Sequence, residues 1–189
     1  MKEKQKRLIV GISGASGILY GIRLLEFLQK LDIEVHLVMS KAAAVTAGLE
    51  TDKKVSEIGK LADIVHKVDD IGASIASGSF KSEGMLIVPC SVKTMSEINT
   101  GVTSSLLTRA ADVTLKERRK LVLMVRESPL HLGHLKTMTS LSEMGAIISP
   151  PVPALYTKPE TIDDIIDQTL GRLLDLFDLE VPTLKRWKS

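Results

Sequence analysis

Residues 7–17, RLIVGISGASG, decide the fold of this chain. The apolar run LIV is typical of a short buried strand, and Gly11, Gly14 and Gly17 follow before a helical pattern begins at Ile18. A strand that leads through a glycine-rich turn into a helix presents backbone N–H groups and the positive end of the helix dipole to a ligand. The stretch therefore predicts an anion-binding turn.

The spacing of the three glycines narrows the classes of ligand that the turn is expected to bind. G-x-x-G-x-x-G is neither the G-x-G-x-x-G of dinucleotide-binding folds nor the G-x-x-x-x-G-K-[ST] of a P-loop. The turn favours a phosphorylated or nucleotide-like ligand and argues against those two common classes. From this segment alone, a tight turn that binds no ligand is the alternative.

Apolar runs alternate with helical patterns along the rest of the chain, and the runs are rich in Val, Ile and Leu, as in parallel strands buried on both faces. The predicted strands are 8–12, 34–39, 85–89, 121–126 and 146–149. The predicted helices are 18–30, 42–49, 104–119, 132–144 and 161–177. This order predicts an α/β fold, a doubly wound parallel sheet in three layers of the flavodoxin-like or Rossmann-like type.

Composition excludes several classes of protein. The chain has 189 residues, which predicts a single domain over 1–189. A net charge of +2 does not indicate a nucleic-acid or membrane surface as partner. Cys90 is the one cysteine, so no internal disulfide can form. With no signal-peptide pattern and no long apolar run, we expect a cytoplasmic protein.

The residues that follow the predicted strands are candidates for the site, because ligands bind outside the carboxyl ends of the strands in such a sheet. Four of the five strand ends carry hydroxyl groups and two carry a cation, which favours a polar, anionic ligand. A dinucleotide fold places Asp or Glu after the second strand to hold a ribose. Ser40 stands there in this chain, which favours a mononucleotide.

Charged residues supply candidates for the chemistry. Arg109 and Lys116 share one face of a predicted helix with Asp112 close by, either as a solvated row of ion pairs or as a phosphate clamp. Arg126 and Glu127 leave a buried strand directly into the predicted site, where a carboxylate beside cations can act as general acid or base.

Three further residues have weaker local support. Glu50 ends a predicted helix, where surface polarity is the simpler explanation. Tyr156 follows the proline-rich loop 150–153, and the last helix can bring Arg172 back over the sheet, although a helix arginine is usually solvated. His131 and His134 have a spacing that can bind metal, but no Cys or carboxylate set joins them, so we expect no metal site.

Segments along almost the whole chain resemble the UbiX-type flavin prenyltransferases, a family formerly described as aromatic acid decarboxylases. The similar segments are GISGASG at 11–17, MSKAA at 39–43, LETD at 49–52, ASGSF at 76–80, PCSVKT at 89–94, LLTRAADVTLKERR at 106–119, VRESPLHLGHL at 125–135, PPVPALY at 150–156 and RW at 186–187. Together they are far more specific than the glycine-rich turn.

The resemblance implies a flavodoxin-like fold that binds FMN. It implies transfer of a dimethylallyl group from dimethylallyl phosphate to N5 and then C6 of reduced FMN, without a metal. The product, prenylated FMN, is the cofactor of UbiD-type decarboxylases, which serve ubiquinone biosynthesis or aromatic acid decarboxylation. The family assembles as large homo-oligomers, typically dodecamers, with sites at subunit contacts.

The resemblance also assigns residues by position. Those implied to contact FMN are Gly14, Ala15, Ser16, Ser40, Ser91, Val92, Lys93, Thr94 and Arg126. Those implied to surround the prenyl phosphate are Arg109, Lys116, Glu127, Tyr156 and Arg172, with Arg109 acting from a neighbouring subunit. Those implied to be catalytic are Ser16, Glu50, Lys116 and Glu127, and Trp187 is implied to pack near the site.

Two alternatives stand beside the prenyltransferase. One is a flavin-dependent cysteine decarboxylase, a class that carries a PxMNxxMW-like segment and a catalytic histidine. This chain has PCSVKTMSEI at 89–98 instead, and His36 lies inside a predicted strand. The other is an FMN-binding carrier without catalytic activity. Metal-dependent prenyl transferases hold diphosphate with aspartate-rich motifs, and the absence of such a motif here agrees with a monophosphate donor.

Overall fold

The fold is built on one sheet of six parallel strands in a computed structural model that describes residues 6–181, 184, 186 and 187. The strands are β1 (Arg7–Ile12), β2 (Glu34–Met39), β3 (Ile64–His66), β4 (Gly84–Cys90), β5 (Lys120–Val125) and β6 (Ile147–Ile148). Their order is β3-β2-β1-β4-β5-β6. This is the doubly wound order, and without the short edge strand β3 it reduces to the flavodoxin-like order. The predicted fold class is confirmed.

Seven helices of the described chain connect and cover the strands. They are α1 (Ile18–Leu28), α2 (Lys41–Glu50), α3 (Val55–Gly59), α4 (Val92–Thr100), α5 (Leu106–Lys116), α6 (Leu132–Glu143) and α7 (Ile162–Asp175). One core contains buried residues of α1, α2, α3 and α7 on one face of the sheet, and a second contains those of α4, α5 and α6 on the other. Helices on both faces make the three predicted layers.

Alternation along β1 shows how one strand serves both cores. Leu8, Val10 and Ile12 belong to the core that contains α1 and α7, whereas Ile9 between them belongs to the core that contains α5. Side chains of a strand point to opposite faces in turn, so an unbroken apolar run is what a strand covered on both faces requires. None of the described helices is both long and apolar enough to cross a membrane.

The sequence prediction missed one strand and two α-helices of the structure, namely β3, α3 and α4. β3 has three residues and its Ile64 and Val65 are exposed at the sheet edge, so it lacks a buried run. α3 is a five-residue helix. α4 buries only Thr94, Met95 and Ile98, which is too few positions for a clear helical period. The predicted fourth strand also ends one residue early, at Val125, which leaves Arg126 in the loop.

Candidate active site

A pocket of about 250 Å³ lies at the carboxyl ends of β1 and β4. These strands are neighbours in the sheet although β2 and β3 lie between them in the chain, so the pocket is at the switch point of the topology. Its lining residues are Gly14, Ser40, Lys41, Ala42, Val68, Asp69, Ser91, Lys93, Thr94, Glu97, Ser104, Ser105 and Leu107. The structure thus brings together five of the predicted cofactor-binding residues, namely Gly14, Ser40, Ser91, Lys93 and Thr94.

Three helices begin at this pocket, and a serine caps each of them. Ser40 Oγ accepts a hydrogen bond of 3.0 Å from Ala43 N at the start of α2, and Ser91 Oγ accepts one of 3.2 Å from Thr94 N at the start of α4. Ser105 caps α5 with the same geometry. Three helix N-termini give the pocket a positive potential, to which Lys41 and Lys93 add. The pocket therefore fits a phosphate group.

Ser104 and Ser105 are pocket residues that the sequence prediction missed. Their signal is a pair of serines immediately before the helical pattern LLTRAADV, which is a recognisable helix start. The acidic side chains of Asp69 and Glu97 also line the pocket. Glu97 lies 3.8 Å from the Lys93 ammonium group, which offsets part of the positive charge.

Gly14 allows the turn after β1 to touch the first turn of α2. A Cβ atom at this position would lie 2.3 Å from the Ala42 Cβ atom, far inside van der Waals contact. The second glycine of the GISGASG segment is therefore needed for packing. That packing brings the N-terminus of α2 against the glycine-rich turn.

Ser13 joins the ends of β1 and β4. Its side chain is fully buried, its hydroxyl group donates to Pro89 O at 3.0 Å, and its Oγ accepts from Ser91 N at 2.8 Å. Its backbone N–H also donates to Pro89 O. Ser13 sets the position of the capping residue of α4 relative to Gly14, a function that the sequence prediction did not assign.

Glu50 lies beside the same turn. Its Oε2 accepts from Gly17 N at 2.8 Å and from Ile18 N at 2.9 Å, so a carboxylate at the end of α2 caps the start of α1. Desolvation is the largest influence and raises its pKa, but hydrogen bonds from the Ser16 side chain and the two N–H groups, with the charge of Arg126, bring the pKa below its usual value. Glu50 is thus an ionised capping group in contact with Ser16 rather than a solvated surface residue.

Arg126 and Glu127 follow the end of β5. Arg126 N donates to Cys90 O at 3.1 Å, which keeps the strand ends together, while both side chains are exposed. Glu127 Oε1 accepts from Ser128 N at 2.9 Å. Ser16, Glu50 and Arg126 therefore share one region beside the pocket, because Arg126 acts on Glu50 through its charge.

Arg109 and Lys116 lie on α5, and neither lines the pocket of the same chain. Ser105 lines the pocket, and Lys116 is at the other end of the eleven-residue helix, about 16 Å further along the axis. Lys116 thus lies near the amino ends of the strands, where Lys120 begins β5 beside Gly84 of β4. It is ion-paired with Glu117, and Arg109 Nη1 lies 2.6 Å from Asp112 Oδ2.

Tyr156, Arg172 and Trp187 are connected by contacts between the loop before α7, α7 itself and the C-terminal segment. The rings of Tyr156 and Trp187 meet edge to face with centroids 5.0 Å apart. Arg172 Nη1 donates to Asp175 Oδ2 at 2.5 Å, and the same carboxylate accepts from Arg186, the neighbour of Trp187. None of these three residues lines the pocket, and neither do Arg109 and Lys116.

Comparison with known proteins identifies the family. The family model described as Flavoprotein matches residues 1–174. The flavin prenyltransferase UbiX of Escherichia coli strain K12 is 59% identical over 187 residues, which are 97% of this chain and 99% of that protein. The chain belongs to the UbiX family of flavin prenyltransferases. The corresponding UbiX enzyme of Thauera aromatica is 56% identical over 96% of this chain and 93% of its own length.

Solved UbiX structures share the fold closely. The crystal structure of AnUbiX in complex with FMN and dimethylallyl pyrophosphate has a TM-score of 0.96 and 48% identity over 97% of this chain and 98% of that chain. A structure described as a dodecameric FMN-dependent UbiX-like decarboxylase from Escherichia coli O157:H7 has a TM-score of 0.95 over 97% and 100% of the two chains, also at 48% identity. The cysteine decarboxylase TvaF, at 11% identity and a TM-score of 0.62, shares the fold alone.

His131, His134 and Cys90 have structural explanations in this UbiX chain. His131 Nδ1 accepts from Gly133 N at 3.0 Å and caps α6, and its ring stacks on His134 with centroids 3.6 Å apart. No group of three or more metal-ligating side chains occurs within the described ranges. Cys90 is fully buried, which raises the pKa of its thiol and makes it a packing residue rather than a nucleophile.

Proposed function

We propose that this protein transfers a dimethylallyl group from dimethylallyl phosphate to N5 and C6 of reduced FMN and thereby makes prenylated FMN. The observation that carries the proposal is the pocket formed by the N-termini of α2, α4 and α5 at the switch point, in a chain of the UbiX family. The pocket is smaller than the roughly 300–1,000 Å³ of sites that enclose a whole small ligand. It is therefore suited to the phosphate end of the flavin nucleotide.

The residues of the pocket would hold FMN by its phosphate. Ser40, Ser91 and Thr94 offer hydroxyl groups at two helix N-termini, and Lys93 adds a positive charge. Gly14, Ala15, Ser16, Val92 and Arg126 are the other residues that the family resemblance assigns to FMN. When bound, reduced FMN supplies the electron-rich ring that accepts the prenyl group. No residue is needed to bind a metal in this scheme.

Ser16 and Glu50 would act beside the flavin. The Glu50 carboxylate is ionised because three hydrogen bonds and the charge of Arg126 stabilise its charged form. It accepts a hydrogen bond from Ser16, which fixes the direction of the Ser16 hydroxyl proton. Glu50 also holds the start of α1 through Gly17 and Ile18, so the orientation of Ser16 is coupled to the glycine-rich turn.

The cationic residues would stabilise the leaving group. Breaking the allylic C–O bond leaves a phosphate dianion and a fragment with allyl-cation character. Arg109, Lys116 and Arg172 would stabilise the dianion, and Tyr156 would donate a hydrogen bond to it. Glu127, exposed at the end of β5, would supply a proton to the departing phosphate, and that phosphate would later take up the proton displaced from flavin C6.

We infer that subunit contacts complete this site. Lys116 lies at the end of α5 that is far from the pocket of its own chain, and Arg109, Tyr156 and Arg172 do not line that pocket. The relative described as dodecameric covers the whole fold at a TM-score of 0.95, which supports a homo-oligomer of the same type. Large apolar side chains are exposed around these elements and are suited to contacts between copies: Leu49, Leu132, Val152 and Leu155.

The proposal also covers the prenyl donor, the protein that accepts the product and the cell compartment. The AnUbiX complex contains dimethylallyl pyrophosphate, whereas the lack of an aspartate-rich motif in this sequence favours the monophosphate as donor. A UbiD-type decarboxylase is the expected acceptor of the product. We also propose that the chain is one flavoprotein domain over 1–189 and that it acts in the cytoplasm, which agrees with a single, unpaired cysteine.

The test is anaerobic incubation of the purified protein with reduced FMN and dimethylallyl phosphate, followed by mass spectrometry of the released flavin. A gain of one five-carbon unit is expected, and a parallel sample without donor is the control. A third sample receives dimethylallyl diphosphate instead, and comparing it with the monophosphate sample shows which compound is the donor. Bound, reduced and unmodified FMN in both donor samples would instead identify a flavin carrier.

A further inference from the structure

The described residues of the C-terminal segment lie along the second half of α7. Leu184 packs on Gly171, where a Cβ atom would lie 2.8 Å from Leu184 Cδ1, so a larger residue here would make the Leu184 side chain shift. Arg186 binds the carboxylate of Asp175 through two hydrogen bonds, of 2.9 and 3.0 Å. The segment is therefore docked on α7 by one apolar contact and one bidentate ion pair.

Asp175 binds two arginines at once. Its carboxylate accepts from Arg172 on its own helix at 2.5 Å and from Arg186 on the C-terminal segment. The Asp175 side chain is only 14% exposed, whereas those of Arg172 and Arg186 are 58% and 49% exposed. The two guanidinium groups would repel each other without the shared carboxylate. With it, the three groups carry a net charge of +1, which suits a phosphate dianion.

The same segment carries Trp187 to Tyr156. The two rings pack edge to face at an interplanar angle of 87°. Tyr156 lies on the loop between β6 and α7, so Trp187 connects that loop to α7 through Arg186 and Asp175. The Asp175 carboxylate thus contacts Arg172 directly. It also acts on Tyr156 indirectly, because it binds Arg186, whose neighbour Trp187 packs on Tyr156.

We propose that Asp175 is a positioning residue of the prenyl phosphate site, which docks the C-terminal segment on α7 and thereby orients both Arg172 and Tyr156. The inference rests on the proposed function, because it takes Arg172 and Tyr156 as phosphate ligands. Asp175 engages Arg172 through Nη1, and a guanidinium group has five N–H donors. The contact therefore fixes the direction of the guanidinium plane and leaves donors for the phosphate.

The first measurement uses the fluorescence of Trp187, which is the one tryptophan of the chain. In the full-length, flavin-free oligomer, Asp175→Asn is expected to lower the anisotropy of the Trp187 emission and to increase its quenching by acrylamide, because the ring loses its contact with Tyr156. Arg186→Gln removes the ion pair between the segment and Asp175 but keeps that between Arg172 and Asp175, and it should give the same change. The matched control is Asp167→Asn, also on α7, which breaks a pair with Arg23 at 2.7 Å and should leave the emission unchanged.

The second measurement distinguishes a positioning role of Asp175 from a role in folding. Asp175→Asn is expected to raise KM for dimethylallyl phosphate about tenfold, since a charge-assisted contact to Arg172 is lost, with the Kd of FMN unchanged. Asp167→Asn should leave both constants unchanged. Equal loss of FMN and prenyl phosphate binding would mean a general structural role and would overturn the proposal.

The outcomes distinguish this inference from the proposed function. Unchanged Trp187 emission in both Asp175→Asn and Arg186→Gln overturns the docking, whatever the enzyme does. Altered emission with an unchanged KM overturns the orienting role. A wild-type protein that leaves FMN unmodified overturns the proposed function and the site role of Asp175 with it, while the emission still decides whether Asp175 docks the segment.

Discussion

The backbone N–H of Ser91 donates to the hydroxyl oxygen of Ser13 at 2.8 Å, across 78 residues of chain. This bond holds the residue that caps α4 against the residue that follows β1. Both sides of the phosphate pocket therefore depend on one buried hydroxyl group.

Ser13→Ala should loosen the pocket. The change leaves Ser91 N without its partner, while Pro89 O keeps the Ser13 backbone N–H, so we expect a cost of about 1–3 kcal/mol of unfolding free energy and weaker FMN binding. Thermal denaturation and FMN titration measure the two effects. Ser142→Ala, at an exposed serine on α6, is the control and should change neither. An unaltered FMN affinity in Ser13→Ala would show that the bond does not position the pocket.

The lowered pKa of Glu50 predicts that the stability of the fold depends on pH. Its pKa is lowered in the folded protein, so its ionisation stabilises the fold above its unfolded pKa, and this contribution is lost as the pH falls through the folded pKa. The wild type should therefore be more stable than Glu50→Gln at neutral pH, and the difference should shrink as the pH falls below the usual carboxyl range. Melting temperatures from pH 7 to pH 3 measure this. A difference that grows on acidification would contradict the sign.

Glu127→Gln separates FMN binding from transfer. Glu127 is exposed and bonds only the adjacent Ser128 N in the described structure, so the variant should fold and bind FMN normally. Loss of a general acid should slow prenyl transfer about 10²-fold or more. Single-turnover formation of prenylated FMN measures the rate, and Glu143→Gln on the surface of α6 is the control. Unchanged turnover would remove Glu127 from the mechanism.

Lys116 and Glu127 should complement each other between subunits. If Lys116 serves the site of a neighbour, oligomers assembled from equal parts of Lys116→Ala and Glu127→Gln contain intact sites. Random assembly gives about a quarter of the wild-type activity when each site takes one residue from each of two subunits. Each variant alone is the control. A mixture no more active than the single variants would place both residues in the same subunit's site.

Cys90 should be inert. Its thiol is fully buried and has a raised pKa, so the reactive thiolate is scarce. The folded protein should resist alkylation by iodoacetamide at pH 8, and Cys90→Ala should retain prenyl transfer. Peptide mass spectrometry measures alkylation, with the urea-denatured protein as positive control. Rapid alkylation of the native thiol would contradict the structure.

The sequence predicted the parts of the molecule that depend on local pattern. β1 was recognisable because an apolar run meets glycines, and α2 and α7 because their sequences have helical patterns; the structure shows that Ser40 and Thr161 cap these two helices. Ser13 was missed because its partners, Pro89 and Ser91, are distant in the chain. α4 was missed because few of its positions are buried.

The grouping of the site residues depends on the folded chain rather than on local pattern. Arg109 and Lys116 were predicted to share a helix face, and they do lie on α5. Their separation from the pocket follows only when Lys116 is seen beside the amino end of β5. Similarly, Glu50 looked like a surface residue until its bonds to Gly17 and Ile18, more than 30 residues earlier, were visible.

The course of α5 has a consequence for the protein in dilute solution. One end of the helix lines the pocket of its own chain and the other carries Lys116 to the amino ends of the strands, so within an isolated subunit Lys116 cannot reach the pocket that we propose to bind FMN. Transfer activity per subunit should therefore fall at concentrations where the assembly dissociates, while FMN remains bound. Mass action would then act as a switch between storing flavin and modifying it.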